Sequence, residues 1–461
     1  MTCYDTIIIG AGMSGLAAGI RLAMFDQKVC ILERHKVPGG LNSYYERQGR
    51  KLDVGLHAMT NFARQGEKGR PLTKLLKQLR IPYEKLGLSQ QNFSRIHFPE
   101  YNISFSNHPE LLTEEIERYF PHQKGHFSRL LELVRNFDDV NLANKPQSAK
   151  EKVREIITDE KLLEMLFCPL LIYGSAWEND MDFSQFVIMF KSIYLEGFSR
   201  PRNGVRTVIN LLIEKYRQAG GELRLGAGIQ SIDAENGTVT GVTLDSGEKI
   251  KARKVMSSIG LPETMGRVSG NSGLPAIGSM SFTETILFFD KKPADAGIKE
   301  TIIFYNDHDR YDYKKPQDFC DYRSAVICLP NNFGHDDYQE GLIRVTFIAN
   351  FHRWNELDRP TYLQKKNEVC SQSLALIAKI FPQFQANLLY YDVFTPKTVT
   401  RYTGHFHGAV YGTTQKVRDG RTGIKNLFIC GTDQGFLGIV GAMLSGISMA
   451  NLHCLMNGEK A

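Results

Sequence analysis

The sequence predicts an α/β fold in which a discontinuous, Rossmann-like dinucleotide-binding domain carries an inserted α+β domain. Three observations lead there. The N-terminal run "YDTIIIGAGMSGLAAGIRLAMFDQKVCILER" reads as strand, tight turn, helix and strand, a βαβ unit. After residue 65 the texture turns amphipathic and helical, and it stays so to about 195. Strand-rich, glycine-punctuated sequence then returns at 199–265 and again at 395–461.

In chain order, residues 1–65 open the dinucleotide domain: Thr6–Ile9 is a short β-branched run, Gly10 breaks it, Leu16–Phe25 has helical apolar spacing, and "KVCILE" is the second strand. Residues 66–198, with "PLTKLLKQLR" and "HFSRLLELVRNFDDV", form a helical first piece of the inserted domain. Residues 199–265 return to strands, with Asn236-Gly237 and Ser246-Gly247 as hairpin turns. Residues 266–394 are a strand-rich second inserted piece ("SFTETILFFD", "SAVICLP", "LIRVTFIANF") followed by a helix around 361–380. Residues 395–461 close the dinucleotide domain.

The 461 residues suffice for two or three domains. A formal net charge of +6, with no compact Lys/Arg run, argues against nucleic acid as a partner and leaves a mildly basic face that suits an anionic membrane surface. Eight cysteines are scattered without a C-x-x-C pair, as expected of thiols in a reducing compartment, and no metal site is expected. The first strand is expected to start near Tyr4, so no cleavable signal is expected. The apolar runs 162–174 and 186–195 fall below the roughly 18 residues of a spanning helix. With the basic amphipathic "KGRPLTKLLKQLR", they suggest a cytoplasmic protein with reversible membrane-surface contact.

Gly10-Ala11-Gly12-Met13-Ser14-Gly15 matches G-x-G-x-x-G between strand and helix. Gly10 allows the tight turn, Gly12 lets backbone approach a pyrophosphate, and Gly15 lets the helix pack on the sheet. The phosphates then lie at the helix N-terminus, over Met13 and Ser14. Glu33 ends the second strand 18 residues after Gly15, where a ribose-binding acid belongs, with Arg34 beside it. These features suit NAD and FAD alike. Pro38-Gly39-Gly40, followed by Leu41-Asn42, supplies a second stretch of backbone without Cβ atoms. A cofactor that continues past its pyrophosphate into a ribityl chain and a tricyclic ring needs that second close approach, so FAD is the expected cofactor.

"IIIGAGMSGLAAGIRLA…ILERHKVPGGLNSYYERQGRKLDVGLH" resembles the N-terminus of FAD-dependent oxidoreductases of the phytoene desaturase, carotenoid isomerase and retinol saturase group, relatives of the amine oxidases. The likeness recurs in "RPRNGVRTVINLL" with "GGELRLGAGIQSI", in "TPKTVTRYTGHFHGAVYG" and in "NLFICGTDQGFLGIVGAMLSGISMAN". It implies that backbone at Ile229 meets the adenine, that Gly431 approaches the flavin, that Asp433 accepts from ribityl hydroxyls, and that Gly438, Ile439, Gly441 and Ala442 start a helix near the ring. Many relatives carry Arg directly after the glycine pair, where this chain has Leu41-Asn42.

No second G-x-G-x-x-G has strand context, so the electron donor or acceptor is external and its identity is left open. The resemblance implies hydride exchange with an apolar small-molecule substrate, an isoprenoid such as a carotenoid, with desaturation first and isomerisation or saturation close behind. A flavin amine oxidase and a non-catalytic flavin-binding protein are the alternatives. The catalytic candidates are His57, after Gly55 at the inferred flavin edge, with Lys191 and Tyr402 as groups facing the ring. His405 and His407 alternate in a strand or loop without the pattern of a metal site.

Overall fold

Thr6, Ile7, Ile8 and Ile9 are β-branched and wholly buried, which suits the centre of a parallel sheet, and they end strand β1 (Cys3–Ile9). Gly10, at φ 96°, stops the strand. Helix α1 (Met13–Ala23) follows, and β2 (Val29–Glu33) returns parallel to β1 with Ile9 opposite Leu32. The computed structural model describes residues 3–270, 273–334 and 338–456.

This first sheet has seven strands. Glu222–Leu225 extends it beyond β2, and Lys249–Ser257 lies parallel on the other side of β1. Lys249–Ser257 forks: its start pairs antiparallel with Thr238–Leu244, and its end pairs parallel with Leu427–Ile429. Thr238–Leu244 joins Ile229–Glu235 through Asn236-Gly237, both left-handed (φ 49° and 73°) as a tight hairpin requires. Strands from three distant parts of the chain therefore share one sheet. The helix Gly438–Ala450 crosses α1 at backbone contact, because a Cβ on Gly446 would stand 2.1 Å from the Ser14 carbonyl oxygen.

The second sheet runs Leu388–Phe394, Ser281–Phe289, Gly341–Ala349, Cys320–Cys328, Ile302–Asn306, Ser94–Phe98 and Tyr101–Phe105. Its last two strands correct the helical reading of 66–198. They form a hairpin whose first strand pairs parallel with Ile302–Asn306, so the first inserted piece completes a sheet begun by the second. Two five-residue strands between amphipathic helices carry little pattern of their own, and a lone hairpin is marginal without neighbours. His405 and His407 also lie outside any strand, in a tight turn after the helix Pro396–Thr403.

The stretches 162–174 and 186–195 are core, packed among Phe105, Phe127, Phe304 and Phe333, so neither offers an apolar face to a membrane. In the basic helix Pro71–Leu79 the leucines point inward as well. One helix among the described residues, Gly438–Leu455, has the length and composition to cross a membrane, yet most of it is buried in the fold against α1.

Candidate functional site

A single cavity of about 1080 Å³ runs from the C-terminal ends of the first sheet's parallel strands into the space over the second sheet. At its first end lie Gly10, Gly12, Met13, Ser14, Glu33 and Arg34. A Cβ on Gly12 would meet nothing within 4 Å, so this glycine faces open space at the start of α1. No side chain caps α1, and its first turn holds no acid, which leaves an electropositive N-terminus aimed into the cavity. Glu33 bridges the two neighbouring loops, accepting from the Ala11 and His35 N–H groups at 2.8 Å each.

Gly39 and Gly40 pack beside this turn. The Gly39 N–H donates to the Ala11 carbonyl at 2.9 Å, and a Cβ on Gly40 would lie 3.6 Å from Gly12 Cα. Both are left-handed (φ 116° and 58°). The second glycine loop thus doubles the backbone-lined wall of the first, and Leu41 and Asn42 carry it onward. Ile229, Gly438, Ile439 and Ala442 also line the cavity. An uncapped helix N-terminus, an empty space before Gly12 and an acid at the strand end fit the pyrophosphate and ribose of a dinucleotide.

Other expected residues are placed differently. Gly15 is absent from the lining because it packs α1 on β1: a Cβ there would stand 2.1 Å from the Gly10 oxygen. Gly431 meets α1 rather than the cavity, with a Cβ position 2.8 Å from Ser14 Oγ and its N–H donating to Ser445 Oγ at 2.7 Å. Asp433 lines the cavity, but its buried carboxylate accepts from the N–H groups of Leu261 (2.6 Å) and Thr413 (2.8 Å), tying three chain segments together. Lys416 stands 3.5 Å away, and burial pushes its ammonium below the usual lysine range. Lys191 is absent from the cavity lining: at the start of the π-helical stretch Lys191–Leu195 it pairs with Asp139 at 2.8 Å and donates to the Phe137 carbonyl at 3.1 Å. Tyr402 is exposed at the mouth against His35, at the dinucleotide end, because it ends a helix on the surface.

His57 lines the cavity where the sequence offers a catalytic candidate, and both of its ring nitrogens have polar neighbours. Its Nδ1 lies 3.3 Å from Tyr173 Oη, and its Nε2 lies 3.1 Å from Thr346 Oγ1 and 3.5 Å from Glu284 Oε1. Two buried arginines from different strands hold the turn. Arg344 donates to the carbonyls of Val54 and Leu56 at 2.6 Å each and pairs with Glu284, while Arg200 donates to those of Leu56 (3.1 Å) and His57 (3.0 Å) and pairs with Asp53. Burial alone would raise the Glu284 carboxyl, but the Arg344 guanidinium and His57 outweigh it and hold it below the usual range. Burial pushes the Tyr173 hydroxyl well above the ordinary tyrosine range, so it remains a donor.

Phe394, Glu284, Thr346 and Val326 are cross-strand neighbours in one row, and all four line the cavity floor. Ile172, Tyr173, Met189, Phe282 and Tyr411 close the far end. The sequence reading missed Glu284, Thr346, Arg200 and Arg344. A signal was available: "LIRVTFIAN" sets a single charged residue, Arg344, in a largely apolar strand, and "SFTETILFFD" sets Glu284 as the single charge within the strand Ser281–Phe289.

The family described as flavin containing amine oxidoreductase matches residues 13–452. Among curated proteins, the chain is similar to the chloroplastic prolycopene isomerase of Daucus carota, at 25% identity over 97% of this chain and 79% of that one. It is also similar to the lycopene-forming phytoene desaturase of Pantoea ananas, at 26% identity over 56% of each chain. Among solved structures, an oxidoreductase from Methanosarcina mazei superimposes with a TM-score of 0.67 at 16% identity, covering 97% of this chain and 99% of that one, which shows a shared fold. With the family matched over nearly the whole chain and a cavity built for a dinucleotide, the protein belongs to the flavin containing amine oxidoreductases and its cofactor is FAD.

Proposed function

We propose that the protein acts on a C–C or C=C bond of an apolar isoprenoid such as a polyene. The observation that carries this reading is the continuity of the cavity: the glycine-lined dinucleotide end opens directly onto a chamber walled by Ile172, Met189, Phe282, Val326 and Tyr411. When bound, FAD supplies hydride exchange with carbon.

The residues of the chain do the rest. The N–H groups of Met13 and Ser14 would hold the pyrophosphate, with Gly12 and Gly40 leaving it room, and Glu33 would hold the ribose and Ile229 the adenine. The chamber excludes water from the reacting carbons. His57 holds or moves a proton at Nε2, the nitrogen beside Thr346 and Glu284. Tyr173 orients the opposite nitrogen, and the two buried arginines keep the turn from shifting. The likeness to the isomerase extends over 97% of the chain and that to the desaturase over 56%, which supports isomerisation or saturation ahead of desaturation.

A second reading, oxidation of an amine, has one observation behind it: Tyr173 and Tyr411 both line the chamber, as an aromatic pair caging an amine requires. Anaerobic mixing with polyene, retinoid and amine panels, using oxidised and prereduced enzyme, separates these cases. Bleaching of oxidised flavin by a polyene marks a desaturase, and turnover confined to prereduced enzyme marks an isomerase or saturase. Reaction with amines alone sinks the isoprenoid reading.

A further inference from the structure

The cavity has a third region, beyond Phe394, that neither the dinucleotide nor the His57 chamber accounts for. It opens between the strand Tyr44–Arg47 and the first turns of the helices Arg359–Ile380 and Pro396–Thr403. Its walls are apolar, from Tyr45, Leu357, Leu363, Phe394 and Val399. Its rim is cationic: Arg47, Arg359, Lys366 and Lys397 all line it. Two carboxylates face these four cations. Asp392 is shared by the Tyr45 hydroxyl (2.9 Å), Arg47 (3.3 Å) and Lys366 (3.4 Å), and Glu46 is exposed on the same strand as Arg47.

Arg359 and Lys397 remain. Each lies 5.7 Å from the centre of the Tyr362 ring, and Lys397 donates to the Leu357 carbonyl at 3.4 Å. Neither pairs with a carboxylate among the described residues. The N-terminus of Pro396–Thr403, capped by the uncharged Thr395 hydroxyl, adds to the positive field, whereas that of Arg359–Ile380 is capped by the Asp358 carboxylate. The uncapped N-terminus of α1 is a separate seat for the cofactor's phosphates, which leaves this charge available to another group. A slot with apolar walls and unbalanced cations at its mouth matches a chain molecule with one charged end, and a plain hydrocarbon makes no use of it.

We propose that the cavity takes an amphipathic isoprenoid whose anionic head, a carboxylate or a phosphate ester, rests against Arg359 and Lys397 while its chain runs inward past Phe394 to the Glu284–Thr346–His57 region. This rests on the isoprenoid reading above and narrows it to a substrate class. The test titrates the FAD-loaded enzyme with retinoic acid, retinyl phosphate and retinol, which share one polyene chain, and follows quenching of flavin fluorescence. The acid and the phosphate are expected to bind at least about tenfold more tightly than the alcohol, as several cations acting together allow, with a preference that declines as salt rises. The Arg359→Gln/Lys397→Gln double variant should lose that preference while keeping its FAD and its affinity for retinol. Arg359→Gln alone, on an exposed side chain, should lose part of the preference in a protein whose folding is not at risk. Equal binding of acid and alcohol by the unmodified enzyme overturns the proposal. So does loss of FAD from the double variant, which assigns the cations to the cofactor. Flotation on anionic phospholipid vesicles that the double variant abolishes, without any preference of acid over alcohol, overturns it in favour of a lipid headgroup. If none of the three ligands binds, the isoprenoid reading itself falls and this proposal falls with it.

Discussion

Gly12 and Gly15 belong to one motif yet do opposite work, and single substitutions separate them. A Cβ at Gly12 enters empty space, so Gly12→Ala should fold and melt as the parent does without cofactor, but bind FAD weakly. A Cβ at Gly15 collides with the Gly10 carbonyl, so Gly15→Ala should lower the melting temperature of the cofactor-free protein. Thermal melts with and without FAD distinguish the pair, and equal destabilisation would refute the division of labour. Glu33→Ala should cost about 1.5–3 kcal/mol of FAD affinity through lost charged hydrogen bonds, read by reconstitution of the cofactor-free protein. Glu284 makes a pH prediction. Its carboxyl titrates below the ordinary glutamate value of about 4.3, so the ion pair stabilises the fold fully above that pH and loses its contribution as pH falls through the lowered native value. The stability gap between the parent and Glu284→Gln, from urea unfolding, should be flat at neutral pH and narrow on acidification. A gap that widens in acid contradicts the assignment. His57→Ala should slow flavin reduction or reoxidation by substrate on the order of 10²-fold, and an unchanged single-turnover rate would remove His57 from the chemistry.

At the scale of elements, the turn Val54–His57 is a loop held as tightly as a helix. It has no secondary structure of its own to satisfy its carbonyls, and Arg200 and Arg344 bind three of them from outside. Arg344→Met should destabilise the protein by about 3–5 kcal/mol, because it strands the buried Glu284 carboxylate and leaves the Val54 carbonyl without its arginine donor, Leu56 keeping only Arg200. A urea midpoint within error of the parent would show that the turn holds itself. The second sheet shows why this arrangement was hard to read. Its strands are recognisable one by one, but which residues face the cavity depends on register, and the row Phe394–Glu284–Thr346–Val326 comes from four strands scattered over more than a hundred residues. The sequence offers Lys191 and Tyr402 as groups facing the ring, but Lys191 is held by Asp139 away from the cavity and Tyr402 lies at the cavity mouth against His35.

For the whole molecule, burial governs thiol chemistry. Cys3 is exposed and the other seven cysteines are buried. Burial pushes the thiols of Cys30, Cys320, Cys328 and Cys430 up to about 12. A thiol reagent at neutral pH should modify one cysteine quickly in the native protein and all eight after unfolding. Rapid modification of several in the folded state would mean that the cores open easily. The same burial accounts for the apolar runs: 162–174 and 186–195 pack into the core cluster, where their hydrophobicity is what a core needs.

The sequence alone determined the dinucleotide end of this protein. The glycine pattern, the acid at the end of β2 and the second glycine pair are local: each requirement falls on a few consecutive residues whose backbone freedom or charge is visible in a line of text. Strands from three separated segments share the first sheet, and the helical texture that begins after residue 65 is what marks the first break between them in the sequence. Only the tertiary structure decided the reacting end. Glu284, Arg344, Arg200, Tyr173 and Thr346 reach the His57 turn from four separate elements of the chain, through sheet register and buried ion pairs. A single sequence does not display such pairings, because each partner read alone is only a polar residue in an apolar strand or helix.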